Sequence, residues 1–167
     1  MKIVFVCVLI LVIPLQSFGQ RDKKESRQEK RIEELREIKL LIDSSVYEFT
    51  ARRAYPQGRR SIDLTTNVGF LRVIHDSASA NLPFFGRAYN LAYDFSGGGI
   101  KFDGSMKDYR ITEDAKKGKM IIQFQVSEST DNFNCTLEVY SSSNANLSVI
   151  SQNRAFISYS GSIRSID

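Results

Sequence analysis

The stretch Lys116-Lys117-Gly118-Lys119-Met120-Ile121-Ile122-Gln123-Phe124-Gln125-Val126 decides the fold class. Met120, Ile122, Phe124 and Val126 fall on one side of a period-two pattern, and Gln123 and Gln125 on the other. An extended strand with one buried face gives that pattern, because successive side chains of a strand point to opposite faces. Lys116-Lys117-Gly118 reads as the hairpin turn that leads into it.

Working outward in both directions, the pattern repeats. Downstream, Ser129 to Asn132 is a turn into Phe133-Asn134-Cys135-Thr136-Leu137-Glu138-Val139, whose odd positions share a face. Ser141 to Asn144 turns the chain again into Ala145, Leu147 and Val149, and Ile157 and Tyr159 lie on a last strand. Upstream, Tyr109-Arg110-Ile111-Thr112 and the segment opened by Ile100 and Phe102 read as strands, with Asp103 and Asp108 flanking a turn between them. Asp76-Ser77 is a tight turn between the apolar Phe70-Leu71-Arg72-Val73-Ile74 and the run from Ala78 to Leu82. Ile62 and Leu64 alternate with Asp63 and Thr65; Tyr47, Phe49 and Ala51 alternate with Glu48, Thr50 and Arg52. The expectation is a mainly β domain over residues 45–167, a single antiparallel β-barrel or β-sandwich of about 8–10 strands.

Ahead of the strands the period changes. Arg21 to Asp43 holds eight basic and seven acidic residues and neither Gly nor Pro. Ile32, Leu35, Ile38 and Ile42 recur at helical spacing, so residues 20–44 are expected to form a charged N-terminal α-helix with one narrow apolar stripe. Asp43-Ser44-Ser45 reads as its stop.

The first residues differ again. Met1-Lys2 is followed by an uncharged run of thirteen residues, Ile3 to Leu15, with Pro14 near its end and Ser17-Phe18-Gly19 placing small residues before Gln20. A membrane-spanning helix needs about 20 apolar residues. Residues 1–19 are therefore expected to be a cleavable secretory signal, cut near Gly19/Gln20, with the working protein in the periplasm or secreted and carrying no transmembrane segment. A cleaved chain has 22 basic and 19 acidic residues, an ordinary surface charge that gives no reason to expect a nucleic-acid partner. Cys7 leaves with the signal, so Cys135 has no partner for a disulfide and is expected to be a small buried hydrophobe.

Several chemistries lack the residues they need. One histidine, His75, and one cysteine do not make a zinc site, and no metal or other cofactor is expected. No Gly-x-Ser-x-Gly turn raises a nucleophile. Gly97-Gly98-Gly99 leads into a strand, whereas a phosphate-binding loop opens a helix. No catalytic residue is assigned, and the expectation is that the protein is not an enzyme.

Two segments stand out as candidate binding residues. Arg52-Arg53 and Arg59-Arg60 bracket Tyr55-Pro56-Gln57-Gly58, and paired guanidiniums at one sheet end are able to grip a carboxylate, a phosphate or a lipid head group. Leu82-Pro83-Phe84-Phe85-Gly86-Arg87-Ala88-Tyr89 opens the one long irregular stretch. Adjacent Phe84 and Phe85 cannot both face inward on a regular strand. Arg87, Tyr89 and Tyr93 extend the aromatic and cationic character, as expected of either a ligand or partner surface or a loop folded back over a barrel mouth.

Taken in order, Arg53-Ala54-Tyr55-Pro56, Leu82 to Tyr89, Gly99-Ile100-Lys101-Phe102-Asp103-Gly104, Asn153-Arg154 and Ile157-Ser158-Tyr159-Ser160-Gly161 resemble the domain of unknown function 4251 family, over about Ile38 to Ile163. The resemblance implies a small exported protein, largely a Bacteroidetes type, with one β-rich domain. It implies no activity and no catalytic or binding residue.

The leading functional expectation is thus a binding or interaction module of the cell envelope, holding an apolar or lipid-like small molecule inside the barrel or meeting an envelope protein. The alternative is a helix-mediated protein-interaction or assembly factor. A hydrolase built on scattered Ser and Asp residues is the remote third.

Overall fold

Ten strands follow one helix in the computed structural model, which describes residues 18–89, 98–129 and 131–166, with side chains from residue 29 onward. The elements are α1 (Phe18–Asp43), β1 (Val46–Pro56), β2 (Ile62–Asp63), β3 (Gly69–Ile74), β4 (Ser77–Leu82), β5 (Ile100–Ser105), β6 (Lys107–Asp114), β7 (Lys119–Ser127), β8 (Asn132–Tyr140), β9 (Asn144–Ser151) and β10 (Ile157–Ser165). Nine of the strands form one antiparallel, nearly closed, barrel-like sheet in the order β5-β4-β3-β1-β10-β9-β8-β7-β6, with β2 added beside β1.

Local chemistry sets the hairpins. Gly118 takes φ 62° in the β6–β7 turn, a left-handed conformation that glycine adopts without strain. The β3–β4 turn puts His75 at φ 55°, and its N–H donates to Ser45 O at 2.7 Å, tying the turn to the end of α1. Between turns, the alternation read from the sequence becomes an inner and an outer face. Met120, Ile122, Phe124 and Val126 of β7 are buried, as are Phe133, Cys135, Leu137 and Val139 of β8 and Ala145, Leu147 and Val149 of β9. Tyr47, Phe49 and Ala51 of β1 and Ile157, Tyr159 and Ile163 of β10 complete the inner layer on the far side.

Closure depends on one segment. β5 stands at one end of the strand order and β6 at the other, yet only Met106 separates them. β5 pairs with β4 from Leu82↔Ile100 to Ser77↔Ser105, and β6 then pairs with β7. A continuous extended segment therefore changes partner and carries the sheet round on itself. Asp103 and Asp108, expected to flank a turn, instead flank this exchange. Asp108 has φ 53° beside the register shift between Lys107 and Arg110, so the local event is a bulge and not a reversal. Across the seam, the Asp103 N–H donates to Glu128 Oε1 at 2.9 Å, and the Phe102 and Phe133 rings lie 5.1 Å apart.

A second bulge interrupts β1 between Ala51 and Arg53. Opposite it, Gly161 lets β10 approach: a Cβ there would lie 1.9 Å from Thr50 O. The bulge is also where β1 changes neighbour, from β3, last paired at Ala51↔Gly69, to β2, paired at Arg53↔Asp63.

Each end of the barrel is closed differently. At the end where β1 begins, α1 lays Ile38 and Ile42 into the core with Leu41 beside them. Lys39–Glu113 at 3.6 Å and an Arg31 Nη2 bond to Lys117 O at 2.9 Å hold its outer face. The apolar stripe expected to start at Ile32 is shorter than its spacing suggests, since Ile32 is 66% exposed. Only the last two turns of α1 bury side chains in the core, while Arg31 reaches the β6–β7 turn from further back. At the opposite end Leu64 is fully buried, and Phe84 and Phe85 pack against the core, both partly buried. Strand alternation does not restrict these two rings, because β4 ends at Leu82 before Pro83.

Candidate functional site

The β1 bulge opens a recess in the outer wall, about 520 Å³ in volume. Val68 and Tyr55 form its exposed apolar lining, over the buried Leu64 and Ala51; Arg52, Arg53, Asp63, Thr65 and Ser160 contribute the polar groups. Its size is that of a small-molecule site. The bulge explains why two adjacent arginines are both exposed, since a regular strand would turn one of them inward.

The two guanidiniums differ electrostatically. Arg53 Nη2 lies 3.8 Å from Asp63 Oδ2. Asp63 accepts hydrogen bonds from the Thr65 hydroxyl and, at 2.9 Å, from the Thr65 N–H. Those bonds first, and the nearby Arg53 charge after them, hold its carboxyl below the usual carboxylate range. The Arg52 guanidinium makes no hydrogen bond or ion pair with any described residue, although its backbone carbonyl accepts from the Leu64 N–H at 2.9 Å. It also lines a second, more polar groove of about 750 Å³ between α1 and the barrel, where Arg31, Asn144 and Asn146 are exposed and Tyr140 is half-buried; Ser160 is common to both recesses. An unpaired guanidinium thus stands where two outer-wall recesses meet.

Further along the same wall lies an apolar strip. The register Ser158↔Tyr55 and Ile157↔Val149, with a Gln57 N–H bond to Phe156 O at 3.3 Å, places Tyr55, Phe156 and Ile150 side by side on the outer face of three strands. All three are exposed. The Tyr55 and Ser160 hydroxyls are 3.3 Å apart, which steers the ring along the wall.

The remaining residues nominated from sequence are distributed elsewhere. Arg59 and Arg60 lie in the exposed turn after β1, in which the Arg59 N–H donates to Pro56 O, and they do not line the recess. Arg87 and Tyr89 belong to a short ladder with residues 153–155: the Ala155 N–H donates to Arg87 O and the Tyr89 N–H to Asn153 O, both at 2.8 Å. Phe84 sits under Arg154, whose guanidinium carbon is 5.4 Å from the ring centre. Tyr93 lies outside the described residues. The nominated residues therefore do not form one site: Arg52 and Arg53 lie on the wall, Arg59 and Arg60 in the turn after β1, and Phe84, Phe85, Arg87 and Tyr89 at the loop end.

The loop end is organised by a buried carboxylate, Asp131. Asp131 accepts from Asn132 N at 2.9 Å, Gln152 N at 3.1 Å and Ser151 Oγ at 2.6 Å. Arg154 Nε is 4.0 Å from its Oδ2. With its acceptors occupied by protein donors, Asp131 fastens the β7–β8 turn to the 151–154 loop. A second buried carboxylate, Glu48 of β1, accepts from Arg72 Nε of β3 at 2.6 Å and from Arg164 Nη2 of β10 at 2.7 Å. Burial alone would raise its pKa; the two arginine hydrogen bonds and charges outweigh that and lower it. Neither cluster carries a sequence signal, because each is assembled across strands far apart in the chain.

Among the described residues, no group of three or more His, Cys, Asp or Glu is placed to hold a metal ion, and no helix is long and apolar enough to cross a membrane.

Comparison with known proteins gives a consistent picture. The family model described as Domain of unknown function (DUF4251) matches residues 29–163. The crystal structure of a DUF4251 family protein from Bacteroides eggerthii is similar in fold, with a TM-score of 0.61 at 18% sequence identity, covering 83% of this chain and 91% of that one. No curated protein matches.

Proposed function

We propose that this chain, which belongs to the DUF4251 family, is a binding module of the cell envelope that holds a small anionic, lipid-like molecule on its outer wall. The observation that carries the proposal is Arg52. Its guanidinium has no partner among the described residues and borders a recess whose other lining includes Leu64, Val68 and Tyr55. A cation beside apolar surface suits a ligand with an acidic head and an apolar body. The outer wall is preferred to the barrel interior because Tyr47, Phe49, Phe124 and Tyr159 are among the large side chains fully buried there. Export belongs to the same proposal. Cleavage near Gly19/Gln20 would shorten α1 (Phe18–Asp43) by two residues and leave Ile38 and Ile42 in place.

Native mass spectrometry of the protein purified gently from its host's envelope fraction tests both parts. The expected result is a mature mass beginning at Gln20 and an added mass that leaves on denaturation and is lost in Arg52→Ala. A bare mass, or an added mass indifferent to Arg52, overturns the ligand reading. An intact Met1 overturns export.

A second reading, assembly through α1, draws on Ile32 and Leu40, both exposed on a helix whose Ile38, Leu41 and Ile42 pack on the barrel. Sedimentation of Ile32→Glu/Leu40→Glu tests it. A mass equal to that of the unaltered protein would remove it.

A further inference from the structure

The wall recess does not end at Arg52. On its other side the same residue borders the polar groove of about 750 Å³ between α1 and the barrel. Gly161 lines that groove and adds no side chain to it. Arg31 closes the helix side. Its Nη2 donates to Lys117 O at 2.9 Å, and its Nε packs over Gly118, where a Cβ would lie 2.7 Å away. The guanidinium is thereby held at the groove with donors to spare.

Charge and hydrogen-bonding groups in the groove point the same way. Its lining carries three cations, Lys30, Arg31 and Arg52, and one carboxylate, Glu34. Glu34 lies 3.9 Å from Lys30, so neither guanidinium has a carboxylate partner among the described residues. The groove therefore favours an anion. Its other side chains are amides and hydroxyls. Asn144 and Asn146 stand two apart on β9 and share its outer face. Asn144 Nδ2 donates to Ser142 Oγ at 2.9 Å, and the side-chain amide of Asn146 makes no hydrogen bond with a described residue. Amides and hydroxyls both donate and accept, which suits a polyhydroxylated ligand.

The order of these surfaces restricts the ligand: polar groove, then Arg52, then a recess with apolar lining that leads to the strip of Tyr55, Phe156 and Ile150. A fatty carboxylate ends at its acid group and would leave the groove unused. A phosphodiester joins a polar head to an apolar body and carries its negative charge between them. We infer, resting on the wall-recess reading, that the occupant is a phospholipid with a polyol headgroup. Its phosphate meets Arg52, its polyol lies in the groove against Arg31, Asn144 and Asn146, and its apolar body leaves past Val68 and Tyr55.

Calorimetric titration of the purified protein tests this with three probes, the lipids kept below the concentration at which they form micelles. They are dihexanoylphosphatidylinositol, dihexanoylphosphatidylmethanol, which keeps the charge and lacks the polyol, and glycerophosphoinositol, which lacks the acyl chains. The phosphatidylinositol is expected to bind roughly tenfold more tightly than either of the others. Arg52→Ala should abolish saturable binding of both lipids. Asn144→Ala/Asn146→Ala and, separately, Arg31→Gln change exposed side chains; each should cut the preference over phosphatidylmethanol to within about threefold, and circular dichroism confirms that the barrel is intact. Equal, Arg52-dependent binding of the two lipids overturns the headgroup assignment and leaves the wall-recess reading standing. Equal binding of glycerophosphoinositol and the phosphatidylinositol overturns the lipid as occupant. An unchanged preference in both folded groove variants overturns the groove's part in it. No saturable binding of either lipid overturns this inference and the wall-recess reading together.

Discussion

Tyr159 donates its hydroxyl hydrogen to the carbonyl oxygen of Pro83, 2.8 Å away and 76 residues earlier in the chain. The bond ties the inner face of β10 to the point where β4 gives way to the loop carrying Phe84 and Phe85. It satisfies a carbonyl at the barrel end and holds that loop over the mouth. Tyr159→Phe keeps the ring and removes the donor. A loss of about 1–2 kcal/mol is expected in urea unfolding, together with faster amide exchange at Ala88 and Tyr89.

Glu48 gives the barrel a dependence on acid. Its pKa is lowered from an ordinary value of 4.5, so the stability it contributes is complete above that ordinary value. It is lost as pH falls through the lower, folded-state value. Glu138 acts in the same direction, because the Lys119 hydrogen bond and then the Tyr140 bond lower its pKa as well. In Glu48→Gln, stability at neutral pH should drop by about 1–2 kcal/mol, a figure that allows for the exposure of both arginines. The decline of unfolding free energy below pH 4.5 should also become shallower. A variant with the same slope as the unaltered protein would show that Glu48 does not titrate on folding.

The helix divides into a structural part and a free part. Ile42→Ala removes a fully buried side chain from the core and should cost about 2–5 kcal/mol. Ile32→Ala, about three turns earlier, should change stability by less than about 0.5 kcal/mol. Thermal melts of the two variants check the contrast directly.

Cys135 should be inert in the folded protein. Its thiol is buried, and burial pushes its pKa up to about 12, leaving almost no thiolate to react. Modification by a disulfide reagent such as dithionitrobenzoate should wait for unfolding, at a rate that rises with added urea. Rapid labelling under native conditions would mean that β8 opens locally.

The strand faces were legible because alternation is a local signal. Met120 to Val126 and Phe133 to Val139 name their own buried sides, and the turns between them have recognisable chemistry. Partner choice was less legible. Nothing local in Asp103 to Asp108 says that the chain will exchange β4 for β7 instead of turning back, since that outcome is decided by strands at distant positions. The candidate sites follow the same division. Arg52 and Arg53 stand out in the sequence as paired cations, although only the β1 bulge brings them, with Tyr55, around one recess.

The pairing of β1 with β10 fixes the order of assembly. Tyr47 is matched with Ser165, so the first strand of the domain waits for nearly the last residues before its ladder can form. Pairings so distant in sequence are slow to form, because a long loop must close before any contact rewards it. A chain delivered N-terminus first would expose one edge of β1 until β10 arrives. The barrel therefore cannot finish until β10 is free to pair, and anything that holds β10 back would leave β1 open along that edge.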